Sequence, residues 1–417
     1  MKKILIINAH SIQNKGDAGI ILSMIDSIKE EVENAEIAIS SRYWESDKDF
    51  YSNLEIETLP QIFDYPDTAL PYYKRALIVL NQLIYVIKHK NKSDSSDKRK
   101  SKLIKWYNEA DIVVSCGGGF LLSNHKYLIE PSLISHLYQI LFAIWKGKKV
   151  IAYSQTIGPF ISKMSKKLSS YVLAKADILY VREDLSKQFL EEIGVKNVKV
   201  VSDSAFSLKP SEIEISDTFN GNKGKLVGVT LRQWKFPNSG NPEKLYSNYL
   251  ESVAKGIDHL VNKGYEVVLI PQVVGPTPYE DDRLANKEIL NKLSKYSTSV
   301  INELDISQLN AREMKFIYSK LTFLIGTRMH SNIFALSSNV PVIAISYEAK
   351  TKGIMQKLNL DNYSVDIDKV TSENLTSMIN DLEKNYNNYV FHLSDSIPTV
   401  IGESKEPAKK IKQLVQY

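Results

Sequence analysis

Short apolar runs alternate with amphipathic helical segments along most of this 417-residue chain. Residues 4–7 and 112–115 are apolar runs typical of buried strands, and residues 21–32 between them carry Ile or Val at helical spacing. Repeated strand–helix units of this kind predict parallel sheets with helices packed against them. We therefore predict an α/β protein.

The alternation is interrupted near the middle of the chain. Residues 210–225 are polar, contain glycine and show no periodicity, which is typical of a linker. A chain of this length also exceeds what one ordinary hydrophobic core contains. We predict two Rossmann-like domains, at 1–210 and 225–400, that face each other across a cleft, and a C-terminal helix at 401–417 that packs back on the first domain.

Charge and composition disfavour several classes of protein. The net charge of +5 is modest for this length and argues against a dedicated nucleic-acid binder. The single cysteine, Cys116, excludes an internal disulfide and fits a reducing compartment. The first residues are typical of a strand rather than of a signal peptide, and no uncharged apolar run approaches the roughly 20 residues that cross a bilayer. We expect a cytoplasmic protein.

Lysine and arginine are concentrated at residues 88–105, where eight of them accompany only Asp94 and Asp97. A Ser-rich, poorly periodic stretch of this kind is typical of a mobile, solvated loop. The alternative is a polybasic patch on anionic lipid, where each charge contributes about 1 kcal/mol near the surface. The sequence leaves both interpretations open.

Residues 321–357 carry the clearest chemical signal, with a pattern of strand, loop, short helix, strand and loop. Arg328 and His330 follow the first of these strands, and Lys350 follows the second. Parallel strands end at the edge where open α/β sheets bind ligands, and Arg side chains with helix N-termini suit anions. We predict an anion site here, although each residue taken alone also suits a structural role.

Motifs for common cofactors and metals are missing from the sequence. Neither half contains the dinucleotide fingerprint or a P-loop, which disfavours NAD, FAD and P-loop nucleotide binding. The HExxH pattern, a Cys/His cluster and the GxSxG elbow are also missing. We therefore expect no metal site and no cofactor.

Short polar and glycine-containing motifs lie at the predicted strand ends. In chain order they are Asn14-Lys15-Gly16-Asp17, Cys116-Gly117-Gly118-Gly119-Phe120, Ser154-Gln155-Thr156-Ile157-Gly158-Pro159, Arg182-Glu183, Asp203, Leu231-Arg232, Gly326-Thr327-Arg328-Met329-His330, Pro341 and Tyr347-Glu348-Ala349-Lys350. Their order and spacing over residues 4–358 resemble those of the polysaccharide pyruvyltransferases. The basic insert at 88–105 departs from that pattern.

The resemblance implies a glycosyltransferase-B-like fold and a reaction. A pyruvyl group would pass from phosphoenolpyruvate to two hydroxyls of a sugar, forming a cyclic ketal and releasing phosphate. His330 and Lys350 match residues of the donor site, Arg328 belongs to the same motif as His330, and Arg232 matches an arginine linked with donor binding. Phosphoenolpyruvate is then a co-substrate, and no cofactor is implied.

Catalysis also needs an acid that protonates carbon and a base that takes the sugar proton. Glu348 and Asp17 are our candidates, together with His330 and Arg328. Each carboxylate also has a structural alternative, since Asp17 suits a helix N-cap and Glu348 suits an ion pair with Lys350.

The acceptor is expected to be a sugar in a cell-surface polysaccharide precursor. We assign its contacts to Asn14, Gly118, Gly119 and Gln155, which lie at loops of the first predicted domain. A lipid-linked acceptor and peripheral contact with the anionic inner face of the cell membrane are compatible with the basic insert. The oligomeric state stays open.

Another reaction class is compatible with the same predicted fold. A nucleotide-sugar glycosyltransferase or epimerase could use the Arg, His and Lys side chains to hold a diphosphate. Similarity of fold does not decide between the two chemistries.

Overall fold

Each half of the chain is built on a parallel sheet covered by helices. The computed structural model describes residues 1–64, 70–89, 98–126, 130–214, 225–237, 239–275, 280–293 and 301–416. The described chain divides into unit 1, which comprises Met1–Ile12, Ile20–Ser204 and Gly402–Tyr417, and unit 2, which comprises Gln13–Gly19 and Ala205–Ile401. The α/β class with two parallel sheets confirms the prediction.

The sheet of unit 1 has the strand order β3-β2-β1-β4-β6-β7-β8, with β5 paired to β6. All of these pairs are parallel, and Ile4 at the centre lies between Ile37 and Ile112. The strands are β1 (Lys2–Ala9), β2 (Ala35–Ser41), β3 (Glu57–Leu59), β4 (Ile112–Ser115), β5 (Gly118–Ser123), β6 (Lys149–Phe160), β7 (Ile178–Val181) and β8 (Val198–Val200).

Helices follow most of these strands and cover the sheet. They are α1 (Lys15–Glu31), α2 (Lys48–Ser52), α3 (Tyr72–His89), α4 (Lys98–Glu109), α5 (Pro131–Trp145), α6 (Lys163–Leu173) and α7 (Asp184–Glu192). Leu5, Val113 and Phe142 are fully buried in the core between sheet and helices. None of the helices in the described ranges is long and apolar enough to cross a membrane.

The sheet of unit 2 has the order β11-β10-β9-β12-β13-β14, and every described pair is parallel. The strands are β9 (Leu226–Thr230), β10 (Glu266–Leu269), β11 (Ile301–Glu303), β12 (Phe323–Gly326), β13 (Val342–Ser346) and β14 (Ser364–Asp366). Every residue of β9, β12 and β13 is buried. Strands covered on both faces therefore appear in the sequence as continuous apolar runs.

The helices that surround this second sheet are α8 (Pro242–Asn262), α9 (Asp282–Leu293), α10 (Ala311–Tyr318), α11 (Met329–Leu336), α12 (Ala349–Lys357), α13 (Ser372–Lys384) and α14 (Tyr386–Ser404). The last helix, α15 (Glu406–Gln416), belongs to unit 1 and packs against β4 and β6. Ala408, Ile411 and Val415 of α15 are buried there.

The predicted loop at residues 154–159 is wrong, because β6 continues through Phe160. Gln155 of β6 pairs with Gly118 on one side and with Val181 on the other. Gly118 and Gly119 likewise begin β5 instead of forming a loop. Strand pairing on both sides overrides the local turn signal of these residues.

The solvated-loop interpretation of residues 88–105 is also wrong for the part that the structure describes. Helix α4 begins at Lys98 and buries Leu103 and Ile104. Four cations of this insert face carboxylates of unit 1, in the pairs Arg99–Glu45, Lys100–Asp64, Lys102–Glu57 and Lys105–Glu109. This pairing reduces the charge available to anionic lipid. Residues 90–97 of the insert lie outside the described residues.

Two further predicted boundaries concern the linker and the first loop. Most of the linker predicted at 210–225 falls on residues 215–224, outside the described ranges. The loop with Asn14 and Asp17, assigned from the sequence to the first domain, contains Gln13–Gly19 of unit 2. Its placement follows from pairing, because Asn14 forms an isolated bridge with Val273.

Candidate functional site

The polar residues predicted to bind the donor lie along one edge of the second sheet. Arg232 follows β9, Arg328 and His330 follow β12, and Glu348 and Lys350 follow β13. These three strands are neighbours in a parallel sheet, so the segments that follow them begin at the same edge. The structure thus places at one sheet edge five of the six residues that the sequence assigned to donor binding and catalysis, and the sixth, Asp17, lies in the first loop of the same unit.

Arg232 is a cation held by aromatic rings. Its guanidinium carbon lies 4.2 Å from the ring centre of Tyr347 and 5.0 Å from that of Trp234. The two rings are themselves 4.8 Å apart. Within the described residues, Arg232 forms no ion pair, and its buried Nε has no hydrogen-bond partner. The two rings hold the guanidinium beside them, and the Nε–H, unpartnered in the described part of the chain, is available to an anion.

Arg328 has a different environment, because its guanidinium is paired with a buried carboxylate. Its Nε donates to Asp282 Oδ1 at 2.9 Å and its Nη2 donates to the backbone oxygen of Glu280 at 3.1 Å. Asp282 is fully buried and also accepts from the backbone N–H groups of Gln272 and Val273, at 2.9 and 3.0 Å. Arg328 therefore ties the β12 loop to the loop that follows β10.

Buried hydroxyls fix the start of α11 behind Arg328. Thr230 Oγ1 accepts from the backbone N–H of Thr327 at 3.1 Å and lies 2.9 Å from Ser331 Oγ. Ser331 Oγ donates to the Arg328 backbone oxygen at 2.6 Å, and the Tyr249 hydroxyl lies 3.0 Å from Thr327 Oγ1. These contacts hold the segment from Thr327 to Ser331 in one conformation.

His330 packs directly on the glycine of the first-loop motif. A Cβ atom on Gly16 would lie 2.2 Å from Nδ1 and 2.6 Å from Cγ of His330, so only glycine fits beneath the imidazole ring. Asn14 Oδ1 accepts from the N–H groups of Gly16 and Asp17, at 3.0 and 3.4 Å. Asn14, and not Asp17, therefore takes the capping role at the start of α1.

The carboxylate and ammonium groups of this loop are both close to Gly16 in the chain. Asp17 Oδ2 accepts from Asn14 Nδ2 at 2.8 Å, and the residue is half-buried. Lys15 is buried, and this burial lowers the pKa of its ammonium group while the charge of Glu313 opposes the shift. The motif therefore brings a carboxylate and an amine to the segment that contacts His330.

Glu348 and Lys350 form an ion pair with each other across the start of α12. Lys350 Nζ lies 3.6 Å from Glu348 Oε2, and the Glu348 side chain is 44% exposed. Glu348 precedes the helix without a capping hydrogen bond from its side chain. The pairing suggested by the sequence as the alternative for Glu348 is thus present, and its carboxylate stays accessible.

A cavity of about 430 Å³, here called the aromatic pocket, opens beside Arg232. Trp234 and Tyr347, which hold the guanidinium, also line this pocket. Its other lining side chains include one aromatic ring, one lysine and three carboxylates, namely Phe236, Lys352, Glu348, Asp366 and Asp368. Rings beside carboxylates suit the apolar face and hydroxyls of a sugar better than they suit a second anion.

The predicted acceptor residues of unit 1 lie at its own sheet. Gly118 has a φ of 131°, which side chains rarely adopt, and Gly119 is exposed. Gln155 is fully buried; its Oε1 accepts from Ser115 Oγ at 3.2 Å, and its Nε2 has no partner among the described residues. Gly118, Gly119 and Gln155 belong to unit 1, whereas Asn14 belongs to unit 2.

Unit 1 also contains a ring cluster that the sequence analysis missed. Phe120 lies between two histidines, with ring centres 4.7 Å from His10 and 4.4 Å from His136. Burial, followed by the charge of His10, lowers the pKa of His136 to about 3. His10 follows the first strand and could have been noticed there, whereas His136 lies inside α5 without a sequence signal.

Other missed residues act as partners of predicted ones. Asp282 lies 46 positions before Arg328, and no local pattern connects them. Trp234 lies two positions after Arg232, and Tyr347 belongs to a predicted motif but was given no role, so an aromatic residue after each strand was a usable signal. Among the residues that the structure describes, no group of three or more His, Cys, Asp or Glu side chains is placed to hold a metal.

Comparisons with known proteins agree with the motifs and the sheets. The structure resembles UDP-GlcNAc 2-epimerase from Neisseria meningitidis (TM-score 0.61, 14% identity, 100% of both chains) and a glycosyltransferase from Rickettsia africae (TM-score 0.59, 12% identity, 100% of this chain and 98% of the other). At these identities the likeness shows the fold alone, which is glycosyltransferase-B-like.

Sequence comparison adds the family. The chain is 24% identical over 405 residues to the amylovoran biosynthesis protein AmsJ of Erwinia amylovora, and the match covers 92% of each chain. The family model described as polysaccharide pyruvyl transferase matches residues 14–349, from the loop under His330 to the start of α12. This chain therefore belongs to the polysaccharide pyruvyl transferase family.

Proposed function

We propose that this protein transfers the pyruvyl group of phosphoenolpyruvate to two hydroxyls of one sugar in a cell-surface polysaccharide precursor. The family supports transfer of a pyruvyl group, and the relative AmsJ is named for the biosynthesis of a polysaccharide. The observation that carries the choice of donor is Arg232, a cation held beside two aromatic rings with no ion pair among the described residues.

Phosphoenolpyruvate carries a carboxylate and a phosphate on a three-carbon frame, so several cations are needed to bind and orient it. Arg232 offers a planar fork to one of these anionic groups. His330 at the start of α11 and Lys350 at the start of α12 contribute further positive charge or N–H donors from the same edge. Arg328, with its guanidinium on Asp282, keeps the β12 loop and His330 in place.

The reaction that we propose adds one sugar oxygen to C2 of the donor while a proton goes to the methylene carbon. The second sugar hydroxyl then displaces phosphate from C2, which closes the ketal, and its proton leaves with the phosphate. Asp17 and Glu348 are our candidates for moving these protons. Arg232, His330 and Lys350 would stabilise the charge on the departing phosphate.

The acceptor sugar needs rings and hydroxyl-binding groups beside the donor. The aromatic pocket supplies Trp234, Tyr347 and Glu348 within unit 2. Asn14 and the residues Gly118, Gly119 and Gln155 of unit 1 stay part of our proposal for acceptor binding. A lipid-linked precursor at the inner face of the membrane is the acceptor class that we propose.

Ligand-induced thermal stabilisation tests the choice of donor. We expect phosphoenolpyruvate to raise the melting temperature of the wild type, because a ligand bound at 100 times its Kd stabilises a protein by about 2.7 kcal/mol. The Arg232→Ala variant should lose this response, and without ligand it should melt at the same temperature as the wild type. Detection of the added pyruvyl mass on lipid-linked or nucleotide-linked sugars would then identify the acceptor.

The alternative is a nucleotide-sugar enzyme of the same fold. An epimerase and a glycosyltransferase share this fold, so the fold is compatible with that chemistry as well. In that case the cations would hold a diphosphate and the aromatic pocket would hold the sugar. Stabilisation by UDP-GlcNAc without stabilisation by phosphoenolpyruvate would favour this alternative and overturn our proposal.

A further inference from the structure

Helix α3 of unit 1 exposes a continuous row of large apolar side chains. The exposed fractions are 63% for Tyr73, 56% for Leu77, 53% for Leu80, 42% for Ile84 and 58% for Ile87. Steps of four and three residues keep all five within an arc of about 80° on a helix with 3.6 residues per turn. We call this row the α3 stripe.

The side of α3 opposite the stripe is fixed to unit 1. Val79 and Leu83 pack against the hydrophobic core. Gln82 forms two hydrogen bonds with the Asp64 backbone, accepting from its N–H and donating to its oxygen at 2.7 Å. These contacts orient the helix with the stripe towards solvent. An exposed apolar row of this length is unusual on a soluble protein and marks an interaction surface.

The charges of α3 are of one sign. The helix contains Lys74, Arg75 and Lys88 but no Asp or Glu. Lys74, Asn81 and Lys88 are seven positions apart, so they form a polar row along one side of the stripe. Lysine beside large apolar side chains is the arrangement of helices that lie in a membrane interface.

Helix α6 of the same unit repeats this combination. It carries Lys163, Lys166 and Lys167 without an acidic residue, and its exposed apolar side chains Met164 and Tyr171 are also seven positions apart. Two helices of unit 1 therefore combine exposed apolar groups with lysines and contain no acidic residue of their own.

We propose that the α3 stripe inserts into the surface of an anionic bilayer, with Lys74 and Lys88 at the level of the lipid phosphates. The positive charge of these lysines complements the negative charge of the lipid phosphates, and this favours an anionic bilayer as the partner. Pairing of α3 with the same helix of a second copy would bring lysines together without any carboxylate on α3 to offset them, which opposes self-association. The paired cations of α4 contribute less, because carboxylates of unit 1 already face them.

This inference goes beyond the proposed reaction and does not depend on it. If both hold, the stripe places the protein at the surface where a lipid-linked acceptor is found. Binding to lipid is measured without donor or acceptor, so failure of one proposal can be told apart from failure of the other.

Sedimentation of the full chain with vesicles of phosphatidylcholine, with and without phosphatidylglycerol, tests the proposal. We expect the wild type to sediment with the anionic vesicles, and high salt to weaken this binding. The Leu77→Ser/Leu80→Ser/Ile84→Ser variant should lower the partition coefficient about tenfold or more, because insertion depends on buried apolar area. Lys74→Gln/Lys88→Gln should abolish the preference for phosphatidylglycerol.

A matched control removes the same number of exposed apolar side chains elsewhere. Leu185, Leu284 and Phe391 are 44%, 40% and 75% exposed, and the triple change of these residues to serine should leave vesicle binding unchanged. Equal binding by wild type and stripe variant would overturn the proposal. So would a wild type that ignores anionic vesicles, or one that dimerises through the stripe in light-scattering measurements.

Discussion

Two arginines at one sheet edge have opposite electrostatic environments. Arg328 has 11% of its side chain exposed and faces the fully buried Asp282, whereas Arg232 is held by Trp234 and Tyr347. A buried cation whose carboxylate partner is already present contributes mainly to the shape of the loop. A stacked cation without such a partner among the described residues suits a ligand. Both arginines follow a predicted strand, so the sequence does not reveal that, among the described residues, one is paired and the other is not.

Replacement of the two arginines should separate stability from binding. We expect Arg328→Met to lower the free energy of unfolding by about 3 to 5 kcal/mol, because it leaves Asp282 charged and unpaired in the interior. Urea denaturation measures this loss. Asp282→Asn in the Arg328→Met background should recover part of it, since the buried charge is then removed.

The matched control is Arg232→Met, which should change the free energy of unfolding by less than about 1 kcal/mol. If both methionine variants were equally unstable, or both equally stable, the assignment of separate roles would be wrong.

Gly16 offers a second prediction at the scale of one residue. Gly16→Ala should push the His330 ring away, because the new methyl group would lie 2.2 Å from Nδ1. A shift of this size in a positioned group can lower kcat/KM about 100-fold. Imidazole NMR signals of His330 should move at the same time. The same substitution at Gly402, where the new methyl group would meet open space within 4 Å, should alter neither.

Individual residues of the site were predictable only where chain order places them at a strand end. Arg328 and His330 could be located in this way, since parallel strands end together. The contact of Gly16 with His330 joins residues 314 positions apart and depends on how the first loop folds into unit 2. Side-chain pairs of that separation leave no local pattern in one sequence.

Helix α10 contains a buried lysine, Lys315, that makes the stability of the protein sensitive to pH. Lys315 Nζ donates to the backbone oxygens of Leu208 and Phe206, at 2.7 and 3.2 Å. Burial lowers the pKa of Lys315 from 10.5 to about 7. Above pH 7 the folded protein therefore holds this amine mostly neutral, while the unfolded chain keeps it charged.

The unfolded state binds more protons than the folded state between about pH 7 and 10.5, so the free energy of unfolding should rise with pH across this window. We expect a slope of at most about 1.4 kcal/mol per pH unit relative to Lys315→Met, which cannot titrate. Urea unfolding of both proteins at pH 7 and at pH 9 measures the difference. A constant difference between them would contradict the lowered pKa.

At the scale of elements, local patterns identified most strands but not their ends. Polar and turn-forming residues at 154–159 suggest a loop, yet pairing with β5 and β7 keeps them in β6. Serine and lysine near 98–105 suggest solvent, yet Leu103 and Ile104 give α4 a buried face. Tertiary packing decides the structure of both segments, and it cannot be predicted from a few neighbouring residues in the sequence.

For the whole molecule, the main departure from two consecutive domains is the return of the C-terminal segment to unit 1. Helix α15 buries Ile411 and Val415, and Lys412 pairs with Glu31 at 3.3 Å. Two parallel α/β sheets were predictable from the repeated strand–helix units. The exchange of Gln13–Gly19 into unit 2 was not, because it results from contacts and not from composition.

Deletion of residues 406–417 should destabilise unit 1 selectively. Loss of the buried Ile411 and Val415 side chains costs about 1.5 to 3 kcal/mol each. Trp44, Trp106 and Trp145 belong to unit 1 and Trp234 to unit 2, so fluorescence of the deletion variant with and without Trp234→Phe assigns the transition to a unit. Lys412→Ala is the control for the surface ion pair with Glu31 alone, and we expect it to cost less than about 1 kcal/mol.

The division of unit 1 along the chain also sets an order of events during synthesis. The ribosome must make residues 205–401 before it makes Gly402–Tyr417, which complete the first unit. At about 5 to 20 residues per second, the nascent first sheet waits roughly 10 to 40 s for the helix that covers β4 and β6. During that interval it is the later-made unit that can finish folding first, and the earlier one that offers chaperones an uncovered apolar surface.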